Sequence, residues 1–490
     1  MGSVTDSASS AIASPSLMIL GGGPGGYESA MVAASLGAKV TVVERAGLGG
    51  SAVLTDVVPS KTLIATADVM NRFEAATDLG VHFEVGAESP QDVDADAVPL
   101  MRADLKQVNS RLLGLAQEQS ADIRAALVQS GVRLVSGEGR LIDQHTVEVT
   151  SANSSGEIRT EQIRADAILL AVGAHPRELP TPKPDGERIL NWAQIYNLTE
   201  LPEELIVVGS GVTGAEFASA YTGLGSKVTL ISSRDQVLPG EDKDAAEVLE
   251  QVFERRGMTV LSRSRAESVE RIADGDGVVV TLSDGRKIEG THCLVCVGSI
   301  PNTEGIGLEE VGVVRTEGGY IKVDAVSRTS VPHIYAAGDC TGVLPLASVA
   351  AMQGRIAIAH LLGDSVRPLK LNQVASNIFT SPEIATVGVS EADLASGRYQ
   401  GDVVKLSLHT NARAKMRNAQ DGFVKIIARK GSGTVIGGVV VGANASELIF
   451  PIALAVTQKL HVDDVASTFT VYPSLSGSIS EAARRLHVRM

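Results

Sequence analysis

Cysteine is scarce in this chain of 490 residues, which has only three, at positions 293, 296 and 340. Three thiols are too few for the disulfide framework of a secreted domain, so the sequence favours a cytoplasmic protein. Cys293 and Cys296 have the spacing of a CxxC pair, but they lie in HCLVCVG, an apolar run typical of a buried strand. Because residues three apart on a strand point to opposite faces, we expect this pair to serve packing and not redox chemistry.

Long apolar runs and basic clusters are missing too. No segment requires a membrane-spanning helix, and residues 1–15 have neither the basic start nor the apolar centre of a signal peptide. We predict a disordered tail there, rich in Ser and Ala. The formal net charge is −14, from 43 basic and 57 acidic residues without a basic block, which disfavours nucleic acids and anionic membranes as partners.

Metal-binding patterns are weak. None of the nine histidines belongs to an HExxH or comparable cluster, so no catalytic metal is expected. The acidic stretch Asp92, Asp94 and Asp96 is similar to the start of a calcium loop. Ala97 and Ala103 stand where that loop needs glycine and glutamate, so a solvated turn is expected instead.

Glycine, by contrast, is plentiful: 50 glycines and 44% hydrophobic residues suit an α/β protein of several domains. A predicted strand from Leu17 to Leu20 runs into a glycine-rich turn and then a helix, and a second strand, Lys39 to Val43, delivers the carboxylate of Glu44. This order predicts a dinucleotide with its pyrophosphate at the helix N-terminus and Glu44 on ribose hydroxyls. The turn residues that would line this site are Gly21, Gly23, Pro24, Gly25 and Gly26.

The same motif recurs in the middle of the chain. A strand that begins at Leu205 is followed by a glycine-rich turn, a helix to about Leu224 and a strand from Lys227 to Ile231. Two such units imply two nucleotides bound by separate domains. The candidate binding residues of the second turn are Gly209, Ser210, Gly211, Val212, Thr213 and Gly214.

The two repeats also predict a nucleotide preference. Gly21 to Glu44 is 23 positions, and Gly209 to Ser232 is also 23 positions, so a serine stands where the first unit has its carboxylate. The acid that would repel a 2′-phosphate is therefore absent from the second site. Ser233 and Arg234 add a hydroxyl and a guanidinium, which favours NADP while leaving NAD usable. The alternative is that Arg234 is an ordinary surface arginine.

The segment Gly47–Lys61, GLGGSAVLTDVVPSK, resembles the redox segment of the flavoprotein disulfide reductases, the family of dihydrolipoamide dehydrogenase and glutathione reductase. In that family it reads GGTCxxxxCxPSK, and its two cysteines form a redox-active disulfide against the flavin. Ala52 and Val57 stand at the cysteine positions here. The matching residues are Gly49, Gly50, Ser51, Pro59, Ser60 and Lys61.

Further motifs extend the resemblance from about Leu17 to Arg485. The run Ala167–Val172 and the following glycine are similar to the family's ATG turn, and Gly298, Pro301 and Asn302 to its GRxPN turn. IYAAGDC, at Ile334–Cys340, matches the second flavin motif. The resemblance assigns Asp339 to the ribityl chain, and further cofactor contacts to Arg45, Gly50, Ser51, Gly139, Val172, Gly173, Ala174, Ala266, Gly298, Pro345, Leu346, Ala347 and Ser348.

The C-terminal stretch departs from the family. The family ends on HPTxxE, whose histidine and glutamate act as acid and base for the thiols of the partner subunit. This chain has Tyr472, Pro473, Ser474 and, three residues on, Gly477. Both cysteines, the base and its orienting carboxylate are thus missing together, which points to a changed reaction. Cys340 is the best candidate for a thiol near the cofactor, but one thiol cannot form an internal disulfide.

The resemblance implies an α/β fold with two Rossmann-type domains, for FAD and NAD(P), and a C-terminal α+β dimerisation domain. The expected divisions are a tail at 1–15, an FAD-binding domain at 16–172, an NAD(P)-binding domain at 173–303, a central domain at 304–370 and an interface domain at 371–490. Other expected elements are a helix from near Pro99 to about Ser130, strands at Arg133–Ser136, His145–Thr150, Gly422–Ala428 and Val435–Val441, and a helix at Ala445–Leu460.

The expected function follows the cysteine-lacking relatives of dihydrolipoamide dehydrogenase: a homodimer that passes hydride from NAD(P)H through FAD to a quinone. Lys61, paired with Glu216 as in the family, would stabilise the reduced flavin, and Tyr472 would donate a hydrogen bond to the acceptor. Each residue also has a non-catalytic alternative. Lys61 could form a helix-surface salt bridge, and Tyr472 could serve packing only. Two other functions stay open: a disulfide reductase or nicotinamide transhydrogenase, and a flavin-bound dimer for interaction or sensing.

Overall fold

A computed structural model of the chain describes residues 14–81, 101–152, 155–179, 183–272 and 277–487. Most of the predicted tail and the acidic turn at Asp92, Asp94 and Asp96 lie outside these residues. The strands, numbered along the chain, are β1 (Ser16–Leu20), β2 (Lys39–Glu44), β3 (Arg133–Ser136), β4 (Glu138–Leu141), β5 (Thr146–Ala152), β6 (Ile158–Arg164), β7 (Ala167–Leu170), β8 (Ala174–Pro176), β9 (Ile189–Asn191), β10 (Glu204–Val208), β11 (Lys227–Ile231), β12 (Thr259–Leu261), β13 (Ala266–Arg271), β14 (Val278–Leu282), β15 (Lys287–Gly290), β16 (His292–Val295), β17 (Ser299–Pro301), β18 (Ile334–Ala336), β19 (Ala375–Ile378), β20 (Glu383–Gly388), β21 (Gly401–Ser407), β22 (Phe423–Arg429) and β23 (Val435–Gly442). The α-helices are α1 (Pro24–Ser35), α2 (Gly50–Leu54), α3 (Val57–Glu74), α4 (Leu105–Gln129), α5 (Val212–Leu224), α6 (Lys243–Arg255), α7 (Leu308–Val311), α8 (Ala347–Leu361), α9 (Glu391–Ala395), α10 (Ala412–Met416), α11 (Ala445–Gln458), α12 (Val462–Ser467) and α13 (Gly477–Arg485).

The chain folds into two compact units. The first draws on the ranges Met1–Leu54, Ala116–His175 and Ile300–Leu369, and the second on Thr55–Leu115, Pro176–Ser299 and Lys370–Met490.

The first unit is built on a five-stranded parallel sheet with the order β18-β7-β1-β2-β3. The inner strand β1 is apolar along its whole buried length, as expected for a parallel strand covered on both faces. Helix α1 packs against α8, and a three-stranded antiparallel sheet of β4, β5 and β6 completes the unit. The first dinucleotide-binding unit therefore contains the predicted strand, turn and helix.

The second unit repeats this architecture. Its five-stranded parallel sheet has the order β12-β11-β10-β16-β9, so β10 and β11 occupy the places that β1 and β2 hold in the first sheet. Helix α5 follows β10 as α1 follows β1. The predicted buried strand around the CxxC sequence is β16, whose four residues are all buried. Cys293 lies within it, and Cys296 follows its last residue.

The second unit also holds a five-stranded antiparallel sheet, β19-β20-β23-β22-β21, with α11 and α13 packed on it. Central strands β22 and β23 are buried almost throughout. A single polar exception is the fully buried Lys425 of β22, whose ammonium lies 2.7 Å from Asp242, 2.7 Å from Asp244 and 2.9 Å from Glu391. Asp242 also caps α6, so this ion network ties the antiparallel sheet to the second dinucleotide-binding sheet within the unit.

The elements confirm the predicted fold class, two Rossmann-type domains and a C-terminal α+β part. Among the residues that the structure describes, no helix is both long and apolar enough to cross a membrane.

Candidate cofactor and active site

The first glycine turn shows why each of its glycines is needed. Gly21 has a φ of +99°, and a side chain there would collide with the carbonyl oxygen of Ala171. A side chain on Gly26 would collide with the carbonyl of Gly21. At Gly23, however, an added Cβ would meet no atom nearer than 4.0 Å. Packing therefore explains Gly21 and Gly26. Gly23 instead leaves its backbone accessible to a ligand such as a pyrophosphate.

The second glycine turn has the same design. Side chains at Gly209 and Gly214 would collide with the carbonyls of Cys296 and Gly209, while a Cβ at Gly211 would meet nothing within 4 Å. Gly23 and Gly211 precede their helices with the same backbone angles, φ −71° and ψ −175°. Both turns therefore fit a dinucleotide phosphate at the start of a helix. Val212 and Thr213 form the first turn of the second helix.

Glu44 lies at the end of β2 beside the first glycine turn. Its carboxylate accepts a hydrogen bond of 2.6 Å from the amide of Gly22 and one of 2.7 Å from the amide of Ala46. These bonds orient an acceptor at the strand end where a ribose diol is bound in Rossmann domains. Arg45 is exposed, and its guanidinium lies 3.4 Å from Glu138.

Ser232 occupies the equivalent place in the second turn, but its hydroxyl is used internally. The residue is completely buried, and its Oγ accepts a hydrogen bond of 2.7 Å from the hydroxyl of Ser210. Ser210 is the counterpart of Gly22, so a neutral serine pair replaces the contact between carboxylate and amide. Ser232 thus removes a negative charge, while the exposed Ser233 and Arg234 are the side chains that solvent reaches.

Sequence reasoning missed a second arginine at this edge of the sheet. The amide of Arg263, in the turn after β12, donates a hydrogen bond of 2.8 Å to the carbonyl of Arg234. The guanidinium of Arg263 lies 3.0 Å from the carboxylate of Asp235. Because β11 and β12 are parallel neighbours, their carboxyl ends bring the two arginines together, although 29 positions separate them in the sequence.

The second flavin motif begins with strand β18 and continues into the turn that follows it. Asp339 follows Gly338, which has a φ of +85°, and its partly buried carboxylate accepts no hydrogen bond from any side chain or amide that the structure describes. Burial raises the pKa of Asp339. A carboxylate in this state fits hydroxyl donors such as those of a ribityl chain. Four of the predicted cofactor contacts, Pro345, Leu346, Ala347 and Ser348, lie at the start of α8.

Cys340, next to Asp339, is unsuited to redox chemistry. It is fully buried, and its thiol points to the carbonyls of Leu170 and Ala337 at 3.6 and 3.4 Å. Burial raises the pKa of Cys340 to about 12, so the thiol stays protonated at neutral pH. Burial also raises the pKa of Cys293 and of Cys296, and all three cysteines are free.

The other predicted cofactor contacts are divided between the two units. The amide of Gly49 donates to the carbonyl of Gly22 at 2.8 Å, which places the loop before α2 on the turn. Asn302 holds the segment after β7 by donating to the carbonyls of Val172 and Gly173 at 2.9 and 3.0 Å. Members of this set that lie in the first unit are Gly50, Ser51, Gly139, Val172, Gly173 and Ala174. Those in the second unit are Ala266, on β13, and Gly298, whose carbonyl accepts a hydrogen bond from the amide of Arg177.

Lys61 and Glu216 form a close ion pair within the second unit. The ammonium of Lys61, on α3, lies 2.6 Å from Oε2 of Glu216, on α5. The Glu216 side chain is only 5% exposed and that of Lys61 is 27% exposed. The second carboxylate oxygen of Glu216 accepts a hydrogen bond of 2.8 Å from the amide of Phe379. This geometry is that of a fixed, half-buried cation and not of a mobile surface salt bridge.

Tyr472, unlike Lys61 and Glu216, has a highly exposed side chain. It forms no hydrogen bond within the part of the chain that the structure describes. The single chain therefore offers no packing role for it. No group of three or more His, Cys, Asp or Glu among the described residues is arranged to hold a metal ion.

Comparison with known proteins identifies the family of this chain. The family model for pyridine nucleotide-disulphide oxidoreductases matches residues 15–354, and the model for the dimerisation domain of the same family matches residues 374–483. An NAD(P)H dehydrogenase (quinone) of Mycobacterium tuberculosis strain H37Rv is 52% identical over 479 residues, covering 96% of this chain and 93% of that protein. A dihydrolipoyl dehydrogenase of Bacillus subtilis is 32% identical over 468 residues, covering 95% of each chain.

A solved structure supports the same assignment. The crystal structure of LpdA from Mycobacterium tuberculosis superposes with a TM-score of 0.88 at 50% identity, covering 97% of this chain and 100% of that one. The fold has two glycine turns that fit dinucleotides and a half-buried Lys–Glu pair. The family models match nearly the whole sequence. The chain belongs to the pyridine nucleotide-disulphide oxidoreductase family, in a form without the redox-active cysteine pair.

Proposed function

We propose that this protein is an FAD-dependent oxidoreductase that uses NAD(P)H to reduce a quinone-type acceptor. The observation that carries the proposal is a complete flavoprotein scaffold without a reactive thiol. Ala52 and Val57 stand at the positions of the family's cysteine pair, and the three cysteines of the chain are buried, free and held protonated. The 52% identity to an NAD(P)H dehydrogenase (quinone) supports it.

FAD, when bound, supplies a centre that accepts hydride from a nicotinamide and returns electrons to an acceptor. The first glycine turn, Glu44 and Asp339 would hold it, and the second glycine turn would hold the nicotinamide nucleotide. Lys61 would provide a fixed positive charge that favours the reduced flavin, and Glu216 would orient that charge. Tyr472 would donate a hydrogen bond to an acceptor oxygen. Because Ala52 and Val57 replace the cysteine pair, no dithiol would stand between a bound flavin and an acceptor.

Steady-state assays of the purified holoprotein under nitrogen test this proposal. We expect NADPH oxidation to depend on menadione and to stop when FAD is stripped from the protein. Lipoamide-dependent oxidation would favour a disulfide reductase, and transfer to an NAD analogue would favour a transhydrogenase. If none of these acceptors supports NADPH oxidation, an interaction or sensing role remains.

The nucleotide preference is the first testable prediction. Because Ser232 brings no negative charge and Arg234 is exposed, we expect NADPH to be favoured over NADH. A guanidinium paired with a partly solvated phosphate adds about 1–3 kcal/mol, or roughly a five- to more than a hundredfold preference. We expect the low end, because Arg234 is exposed and the neighbouring Arg263 already pairs with Asp235. The measurement is kcat/KM for both nucleotides in the native protein and in Ser232→Glu with Arg234→Leu. A native preference for NADH, or an unaltered ratio in the variant, would show that the 2′ position is read elsewhere.

The second prediction concerns assembly, because the C-terminal part presents an exposed apolar surface. Phe450 and Leu454 lie on one face of α11, and Phe469, Val471 and Tyr472 follow in the segment before α13. All five fall within residues 374–483, which match the family's dimerisation domain. We propose that this surface joins two copies of the chain and that the protein purifies as a homodimer with one FAD per chain.

Light scattering on size-exclusion fractions measures this directly. Leu454→Asp would bury an unpaired charge in the interface and should weaken the dimer at least about a hundredfold, or about 2.7 kcal/mol. Ile158→Asp, at an exposed apolar position of the first unit, is the matched control and should leave the dimer intact. A native monomer, or equal dissociation by both variants, would overturn the assignment of this surface.

Two further proposals rest on the sequence. The first is that the chain is divided into the tail and the four domains predicted above, with boundaries after residues 15, 172, 303 and 370. A cytoplasmic location suits a chain whose three cysteines are free.

A further inference from the structure

The turn between β19 and β20 holds helix α5 through two backbone amides. The amide of Phe379 donates to Oε1 of Glu216 at 2.8 Å, and the amide of Ser381 donates to the hydroxyl of Ser219 at 3.0 Å. Glu216 and Ser219 are three residues apart on α5 and therefore share a face of the helix. The turn comes from the C-terminal antiparallel sheet, so that sheet fixes the carboxylate that pairs with Lys61.

The aromatic ring of the same turn also contacts the lysine. The ammonium of Lys61 lies 5.1 Å from the centroid of the Phe379 ring, within the range of a cation–π interaction. The ammonium is thus held both by Oε2 of Glu216, at 2.6 Å, and by the face of Phe379. A lysine side chain that is free to rotate would lose this position, because its four-carbon stem has many rotamers.

The two contacts differ in their electrostatic effect. The Glu216 carboxylate attracts the ammonium as its ion-pair partner. The Phe379 ring attracts the ammonium through its quadrupole but has no net charge, so it restrains the cation without neutralising it.

We propose that Phe379 is a positioning residue for Lys61: its backbone amide orients Glu216, its ring restrains the ammonium, and together they set how strongly the lysine favours the reduced flavin. This inference rests on the proposed role of Lys61. It makes the C-terminal sheet part of the redox machinery as well as of the dimerisation domain.

Phe379→Leu tests the role of the ring, because leucine keeps the backbone amide and removes the aromatic face. We expect the midpoint potential of the bound flavin, measured by spectroelectrochemical titration, to become more negative. Reduction by NADPH should slow about threefold to tenfold. Phe379→Tyr should retain native behaviour because it keeps the ring. Should Phe379→Leu fail to fold, Phe379→Met gives a second aliphatic replacement that adapts to the same space.

Phe423→Leu is the matched control. Phe423 is a second phenylalanine of the same unit, buried where Phe379 is partly buried, and its ring lies 5.4 Å from the ammonium of Lys425. The substitution removes a ring that lies over Lys405 and Lys425 and not over Lys61, so the flavin potential should not change.

A double-mutant cycle with Lys61→Ala separates this inference from the function on which it rests. If Phe379 acts through Lys61, then Phe379→Leu should change neither the potential nor the reduction rate in the Lys61→Ala background. An unchanged potential and rate in Lys61→Ala alone would remove the proposed role of Lys61, and this inference with it. A normal Phe379→Leu beside an impaired Lys61→Ala, or an equal effect of Phe379→Leu in both backgrounds, would overturn only the role of Phe379.

Discussion

Lipoamide reduction by this protein should be negligible, and restoring the cysteine pair alone, by Ala52→Cys with Val57→Cys, should not produce it. Disulfide exchange needs a group that takes and returns a proton at each thiol, and a well-placed acid–base residue contributes about 10²–10⁴-fold. The family places a histidine where this chain has Tyr472, and a phenol is poorly matched to that task at neutral pH. We therefore expect the double variant to stay at least about a hundredfold below a functional lipoamide reductase.

A quadruple variant makes this prediction sharper. Tyr472→His and Gly477→Glu, added to the two cysteines, rebuild the family's histidine and its orienting carboxylate. The structure tolerates a side chain at Gly477, where an added Cβ would meet its nearest atom, a serine hydroxyl, at 3.6 Å. Steady-state NADPH oxidation with lipoamide should rise in the quadruple variant and not in the double one. Robust turnover in the double variant would show that the missing histidine is not the barrier.

Lys61→Ala should keep FAD bound but slow flavin reduction by NADPH tenfold or more, about 1.4 kcal/mol. The ammonium lies in a half-buried position against Glu216, where a charge acts more strongly than in water. Lys61→Gln should slow the reaction to a similar extent, because it keeps a hydrogen-bond donor for Glu216 and removes only the charge. Stopped-flow absorbance at the flavin band gives both rates, and the flavin-to-protein ratio confirms that FAD remains bound.

Lys227→Ala is the matched control for Lys61. Its ammonium also pairs with a glutamate, Glu204, at 2.7 Å, but the lysine side chain is 70% exposed. Reduction should be unaffected there, because an exposed pair contributes little and lies outside the proposed redox site. Native kinetics in Lys61→Ala would exclude Lys61 as a catalytic residue.

Features that depend on local steric constraints could be predicted from the sequence. Gly21 and Gly209 each follow a buried strand and need a backbone conformation that a side chain would obstruct, so both turns are recognisable from sequence. The repeat of 23 positions between glycine turn and second strand end then allowed Ser232 to be aligned with Glu44. The resulting sheets, with equivalent strand orders, bear out that reading.

Contacts made by backbone groups across long sequence distances were not predictable. The amide of Phe379 meets Glu216 across 163 positions, and any residue except proline offers such an amide. Arg263 reaches Arg234 only because β11 and β12 are neighbours in the sheet. The burial of Ser232 and of Cys340 depends in the same way on packing, which the residue types alone do not reveal.

The most direct test of the account is an anaerobic stopped-flow experiment in two steps. The yellow holoprotein is mixed with NADPH, and the flavin absorbance should bleach. Menadione is then added to one half of the sample and lipoamide to the other. We expect rapid recovery of the flavin colour with menadione and none with lipoamide. Recovery with lipoamide, or no bleaching by either NADPH or NADH, would contradict it.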